Sequence, residues 1–224
     1  VCGINMVRVA TEIITMPITG RTSPIEGLKE SRYDYVGVKE AVFPFNMFPE
    51  VDPLLGPEMR STGEVLGLAP NFGEAYYKAQ EATQNPLPLS GTVLISVNRM
   101  DKPYVVDVAK KFIRAGFRIV ATGTTYELLC ENGVECEKIL KMQEGRPNIV
   151  DAIVNKKIQL IVNTPSRKES IFDDSYIRKN AIKHKVPYIT TIAAASASAD
   201  GILAAQSEQE IGVNSLQKLH ESIH

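Results

Sequence analysis

The sequence predicts an α/β protein: a five-stranded parallel sheet with helices on both faces, preceded by a smaller α+β segment. Three observations predict it. From residue 92 onward, short apolar runs alternate with helical stretches of about ten residues, the pattern of βαβ units. Residues 85–91, Asn-Pro-Leu-Pro-Leu-Ser-Gly, form the clearest linker in the chain. Before it lies an irregular run, residues 51–65, Val-Asp-Pro-Leu-Leu-Gly-Pro-Glu-Met-Arg-Ser-Thr-Gly-Glu-Val, that neither an ordinary helix nor an ordinary linker explains. The chain thus divides at 1–84, 85–91 and 92–224.

The elements follow in order. Ile4, Val7, Ala10, Thr11 and Ile14 fall at helical spacing, and Pro17 is expected to stop that helix. Residues 17–35 are loop-like, with Pro17, Gly20, Pro24 and Gly27. Residues 36–45 read as a strand and 62–67 as another short one. Between them, Pro53, Gly56 and Pro57 fix an irregular backbone around the apolar pair Leu54-Leu55. Asn71 is a good N-cap for a helix running to about Thr83.

After the linker the pattern turns regular. Strands are expected at 92–97, 117–121, 136–140, 159–163 and 188–191. Helices are expected at 101–115, closed by Gly116 at the C′ position, then 124–132, 148–155, 174–184 and the Ala/Ser-rich 193–205. Residues 213–223 read as a strand-like turn and a terminal helix. Crossovers should be right-handed.

Composition narrows the function. The formal net charge is −1, so the total carries no nucleic-acid or membrane footprint. The halves differ: residues 1–90 hold 7 Lys+Arg against 11 Asp+Glu, and residues 91–224 hold 18 against 15. A mildly basic second part permits an anionic ligand without demanding one. Cys2, Cys130 and Cys136 show neither an even disulfide framework nor a metal spacing, which fits a reducing compartment. His184, His220 and His224 are scattered and give no metal site. No apolar run reaches the roughly 18 residues of a membrane helix, and no partner membrane or nucleic acid is expected. Val1 opens mid-pattern with no signal peptide, as expected for the tail of a longer chain.

The chemistry gathers at one sheet edge. Ala121-Thr122-Gly123-Thr124-Thr125 sits where a strand ends and a helix begins. There backbone N–H groups and the helix dipole favour an anion, Gly123 lets the backbone approach it, and threonine hydroxyls can donate. A plain threonine N-cap explains the same letters. Lys102 opens the first helix of the regular part and Lys141 follows its third strand; as single residues both also fit solvated lysines. Asn163, Thr164, Pro165 and Ser166 close the fourth strand. In open α/β sheets ligands bind at the carboxyl ends of the strands, so four polar elements converge there.

These residues carry a family resemblance. Lys39-Glu40, Phe43-Pro44-Phe45-Asn46 and residues 51–65 resemble the end of the second ATP-grasp unit in the carbamoyl phosphate synthase large-subunit family. Lys102, the 121–125 turn, Lys141 with Glu144-Gly145-Arg146-Pro147, and Asn163-Thr164 resemble the methylglyoxal synthase-like domain, a Rossmann-like fold that serves this family as its C-terminal allosteric domain. The resemblance implies that the chain is the tail of an ATP-dependent ligase, inactive alone, whose parent subunit uses ATP and Mg or Mn bound upstream, works with a glutaminase small subunit, and serves pyrimidine and arginine biosynthesis. It implies a UMP- or IMP-type effector held by Lys102, Thr122, Gly123, Thr124, Thr125, Lys141, Asn163, Thr164 and Ser166. It also implies a domain-seam ornithine site at Glu40, Ala41, Phe43, Leu55, Tyr188 and Thr190.

Departures bear on both sites. Pro165 stands where the family often has Thr, Arg167 where it has Gly, and Ile189 where it has Asp. A methylglyoxal synthase-type lyase is disfavoured, because Pro147 stands where that enzyme aligns its catalytic Asp and Asn98, Arg99, Met100 and Asp101 replace its histidines. A free-standing nucleotide-sensing module is the other alternative. The resemblance implies a cytoplasmic protein, or an organellar one if the full chain carries a transit peptide.

Overall fold

The computed structural model describes residues 4–28, 34–43, 61–83, 86–164, 171–207 and 212–221. Helix α1, Met6–Thr19, opens the chain, capped by Asn5, whose side chain accepts from the Arg8 N–H. The expected stop at Pro17 is corrected: the helix runs two residues further and ends at Gly20, whose left-handed backbone (φ 63°) sends its N–H to the Met16 carbonyl. Pro17 deletes one hydrogen bond in the last turn, where few remain to be lost. A 3-10 turn follows at Pro24–Gly27.

Strands β1, Val36–Val42, and β2, Gly63–Ala69, form an antiparallel hairpin with Val36 opposite Ala69 and Val42 opposite Gly63. β1 is thus shorter than expected, and residues 44–45 lie outside the described residues. Helix α2, Phe72–Ala82, follows, with Asn71 as its N-cap accepting from Glu74 N–H at 2.9 Å.

The regular part holds β3 Thr92–Ser96, α3 Lys102–Arg114, β4 Arg118–Thr122, α4 Gly123–Glu131, β5 Glu137–Ile139, α5 Ile149–Val154, β6 Leu160–Asn163, α6 Ile171–Lys183, β7 Tyr188–Ile189 and α7 Ile192–Ala205. The strands pair in parallel in the order β5-β4-β3-β6-β7. That is the expected five-stranded sheet. A short helix α8, Leu216–Glu221, ends the described residues.

Burial explains the layering. Apolar residues fill β3 and β6 almost without interruption, as a sheet covered on both faces requires. Val93, Ile95, Leu160 and Val162 face one core with Val105, Val108, Ala109 and Phe112 of α3, Leu129 of α4, and Ala195, Ala199 and Ile202 of α7. Leu94 and Ile161 point to the other face, against Ile149 and Ile153 of α5 and Ile177 and Ala181 of α6. Alternation along each strand thus separates the two layers.

Helix α2 belongs to both parts. It packs on the hairpin and on α7, and its Tyr77 joins the core of the parallel sheet. Glycines permit the close crossing: a Cβ at Gly73 would meet the Asp200 carbonyl oxygen at 2.9 Å, and one at Gly201 would meet the Tyr76 ring at 3.2 Å. Lys78 ties the assembly, donating to the Leu68 carbonyl at 2.9 Å and the Gly212 carbonyl at 2.7 Å while pairing Glu74. The linker is itself packed: Leu87 is buried, and the Leu89 carbonyl accepts from the Gln206 side chain.

Candidate functional site

The sheet order reverses at β3. The chain runs outward through β4 and β5 on one side, then returns to place β6 and β7 on the other. Crevices at such switch points, at the carboxyl ends of the strands, are where open α/β sheets bind ligands. The turn between β4 and α4, the start of α3, the loop after β5 and the end of β6 all lie at this edge.

Thr122 ends β4 and caps α4, but its side chain makes no capping hydrogen bond. Its hydroxyl donates instead to Ser96 Oγ at 2.9 Å. A plain N-cap is therefore not its role. Thr125 is also buried; its Oγ1 accepts from the Val97 N–H at 3.3 Å. These two hydroxyls lock the turn to the end of β3. Gly123, with φ +40° and open space where a Cβ would stand, and the exposed Thr124 form the face the turn presents. Among the described residues, neither buried hydroxyl is hydrogen-bonded to a carboxylate or imidazole, the partner that would activate it as a nucleophile. A strand-to-helix turn of this kind offers backbone N–H donors to an anion.

The cations stand on either side of it. Lys102, half-buried at the first turn of α3, and Lys141, exposed after β5, have no hydrogen-bond or ion-pair partner for their ammonium groups among the described residues. The loop carrying Lys141 is closed on itself: its backbone N–H donates to the Glu144 carboxylate at 2.9 Å, and Asn148 Nδ2 donates to the Gly145 carbonyl at 3.1 Å. Asn148 also caps α5 in a reciprocal arrangement with Asp151. Gln143, Arg146, Asn148 and Tyr176 line a groove between this loop and α6.

The end of β6 is occupied internally. Asn163 Nδ2 donates to Asp174 Oδ1 at 2.9 Å and to the Tyr188 hydroxyl at 2.6 Å. Burial pushes the Tyr188 phenol above its usual range, against the opposing hydrogen bond from Asn163. The Arg178 guanidinium lies 5.8 Å from the Tyr188 ring centre. Thr164 Oγ1 accepts from Asn98 backbone N–H at 3.0 Å and Nδ2 at 3.1 Å. Ser166, Pro165 and Arg167 lie outside the described residues.

Of the six residues of the expected seam site, Glu40 and Ala41 lie on β1, Phe43 just after it, Tyr188 opens β7 and exposed Thr190 follows it; Leu55 lies outside the described residues. Glu40 is hydrogen-bonded to Gln80 of α2, and burial pushes its carboxyl above its usual range. The Tyr76 hydroxyl, which feels the Glu40 charge, lies 3.3 Å from Ser198 Oγ of α7. Glu40 and Tyr188 share no partner in these contacts.

Sequence reasoning assigned no site role to Ser96, Asn98, Asp174 or Arg178 at the sheet edge, nor to Tyr76, Gln80 and Ser198 beside Glu40. Only Asn98 carried a local signal. Its Oδ1 accepts from the Met100 and Asp101 N–H groups, the turn expected of Asn before a helix. No group of three or more metal-ligating side chains occurs among the described residues, and none of their helices is long and apolar enough to cross a membrane.

Residues 104–190, which span most of the parallel sheet and its crevice, match the family described as MGS-like domain. Beyond that domain, the chain is a relative of carbamoyl phosphate synthase large chains. It is 54% identical to the one from Acidobacterium capsulatum over 82% of this chain and 17% of the other. It is 47% identical to that of Archaeoglobus fulgidus over 98% of this chain and 20% of the other. It is 51% identical to the "Carbamoyl phosphate synthase large chain, C-terminal section" of Methanopyrus kandleri over 83% of this chain and 34% of the other. The chain therefore spans a fifth or less of the first two relatives and a third of the last. Among solved structures, methylglyoxal synthase from Elizabethkingia anophelis covers 55% of this chain and 81% of its own at 21% identity, with a TM-score of 0.40, too slight a likeness to bear on function.

Proposed function

We propose that this chain is the regulatory C-terminal part of a carbamoyl phosphate synthase large subunit, and that its sheet-edge crevice binds a nucleotide monophosphate of the UMP or IMP type. One observation carries this reading: Lys102 and Lys141, without partners among the described residues, flank a strand-to-helix turn whose buried hydroxyls are already satisfied. Backbone donors and the helix dipole would orient the phosphate, and the lysines would add point charge. Glu40, half-buried between hairpin and α2, would pair the ammonium of ornithine at the seam.

The whole protein would join ATP, bicarbonate and ammonia delivered by a glutaminase small subunit, with Mg or Mn bound in ATP-grasp sites outside this chain. It would serve pyrimidine and arginine synthesis in the cytoplasm or an organelle. Effectors would act by binding the active and inactive states with different affinity. Residues 1–84 would be the back of the ATP-grasp unit, and the chain alone would form no carbamoyl phosphate.

Calorimetry with UMP, IMP and their nucleosides tests the site. Monophosphates should bind and nucleosides should not. Equal binding of both would reject the phosphate crevice. ATP-dependent carbamoyl phosphate from the purified chain would reject its assignment as a regulatory part only.

A further inference from the structure

Outside the crevice, two of the three cysteines meet. Cys130 Sγ, near the end of α4, lies 3.7 Å from Cys136 Sγ, just before β5. Both are free thiols; Cys130 is exposed and Cys136 half-buried. The turn between them is fixed. Gly133, in the left-handed region at φ +71°, sends its N–H to the Cys130 carbonyl at 3.0 Å, and the Val134 N–H reaches the Leu129 carbonyl at 2.9 Å. Val134 itself is buried, which anchors the turn to the core. The sulfurs are therefore held at contact distance by the fold. A disulfide needs about 2.05 Å between the sulfurs.

We infer that Cys130 and Cys136 form a thiol–disulfide exchange site that closes reversibly to an intrachain disulfide when it meets a low-molecular-weight disulfide such as oxidised glutathione. The exposed Cys130 reacts first. Its thiolate attacks one sulfur of the small disulfide, a protein–glutathione S–S bond forms, the small S–S bond breaks, and one glutathione thiolate leaves. Cys136 then gives its proton to that base or to water and attacks Cys130 Sγ, expelling the second glutathione. Two protein thiols are oxidised by two electrons and one small disulfide is reduced to two thiols. Burial, with the neighbouring Cys130 adding to it, pushes the Cys136 thiol up to about 12. The raised Cys136 thiol leaves the exposed Cys130 as the first sulfur to react. In a reducing compartment such a pair is transient and senses redox state. The closed bond would tie the far end of α4, whose near end carries the 122–125 turn, to the strand that leads to Lys141.

The sequence makes the test direct. Cleavage after Arg118 and Lys138 leaves both cysteines in one tryptic peptide, with Cys2 in another. The folded protein is incubated with oxidised glutathione, free thiols are alkylated, and the peptide is weighed. The expected peptide is two hydrogens lighter than the reduced one, loses both alkylation sites, and regains them after dithiothreitol. Cys136→Ser should instead retain one glutathione on Cys130. A wild-type peptide that takes two alkyl groups, retains glutathione, or is cross-linked to the Cys2 peptide would overturn the inference.

Discussion

The Thr122 hydroxyl donates to Ser96 Oγ at 2.9 Å, joining the carboxyl ends of β4 and β3. This bond uses inside the protein a proton that the sequence pattern offers to a ligand. What the turn can give an anion is then its backbone N–H groups and the lysines beside it. Thr122→Val should cost about 1–2 kcal/mol of stability in denaturant unfolding, the cost of a hydroxyl left unpaired. It should weaken nucleotide binding less than removal of a flanking lysine; a larger loss of affinity would show that the hydroxyl serves the ligand.

Lys141 is exposed, and no ion pair holds it among the described residues. Lys141→Ala should weaken monophosphate binding by roughly 1–3 kcal/mol, as expected for a charge-assisted hydrogen bond, and leave the unfolding midpoint unchanged. Wild-type affinity should fall with added salt, because an exposed charge contact is screened. Titration calorimetry at two ionic strengths measures both effects.

Glu40 gives a pH dependence with a definite sign. Burial raises its folded pKa above the ordinary 4.5. The folded state thus binds the proton more tightly than the unfolded one, and stability falls as pH rises from that value through the raised one. Glu40→Gln should raise the melting temperature at neutral pH, and the gain should vanish at acid pH. In the intact subunit the same change should abolish any response to ornithine; an undiminished response would remove Glu40 from that site.

Helix α2 ties the two parts together. A polypeptide beginning at Thr92 lacks Tyr77 and Leu87, two buried side chains worth ~1.5–3 kcal/mol each. It should melt below one beginning at Pro70. Equal midpoints would mean that α2 adds nothing to the stability of the parallel sheet.

The order of elements was legible in the sequence because each depends on local signals. Asn71 caps its helix, Gly116 ends another, and the unbroken apolar runs at β3 and β6 state that both faces are covered. The candidate crevice was legible for the same reason: strand ends and helix starts are marked by threonine, glycine and lysine, and a parallel sheet brings all such junctions to one edge. The extent of α1 past Pro17 was not legible, since a proline's effect depends on how many hydrogen bonds follow it.

What only the tertiary structure decided is which of those polar groups remain available. Thr122, Thr125, Asn163 and Thr164 are equally polar in the sequence, yet each is bound to a partner from 25 to 66 positions away. Lys102 and Lys141 have no such partner among the described residues. Cys130 and Cys136, read as an unpaired set with Cys2, become neighbours through a turn whose shape Gly133 and Val134 fix. Local propensity acts over a few residues and can be read from their order. Satisfaction of a buried polar group depends on whatever the chain brings beside it, and that is set by packing of the whole molecule.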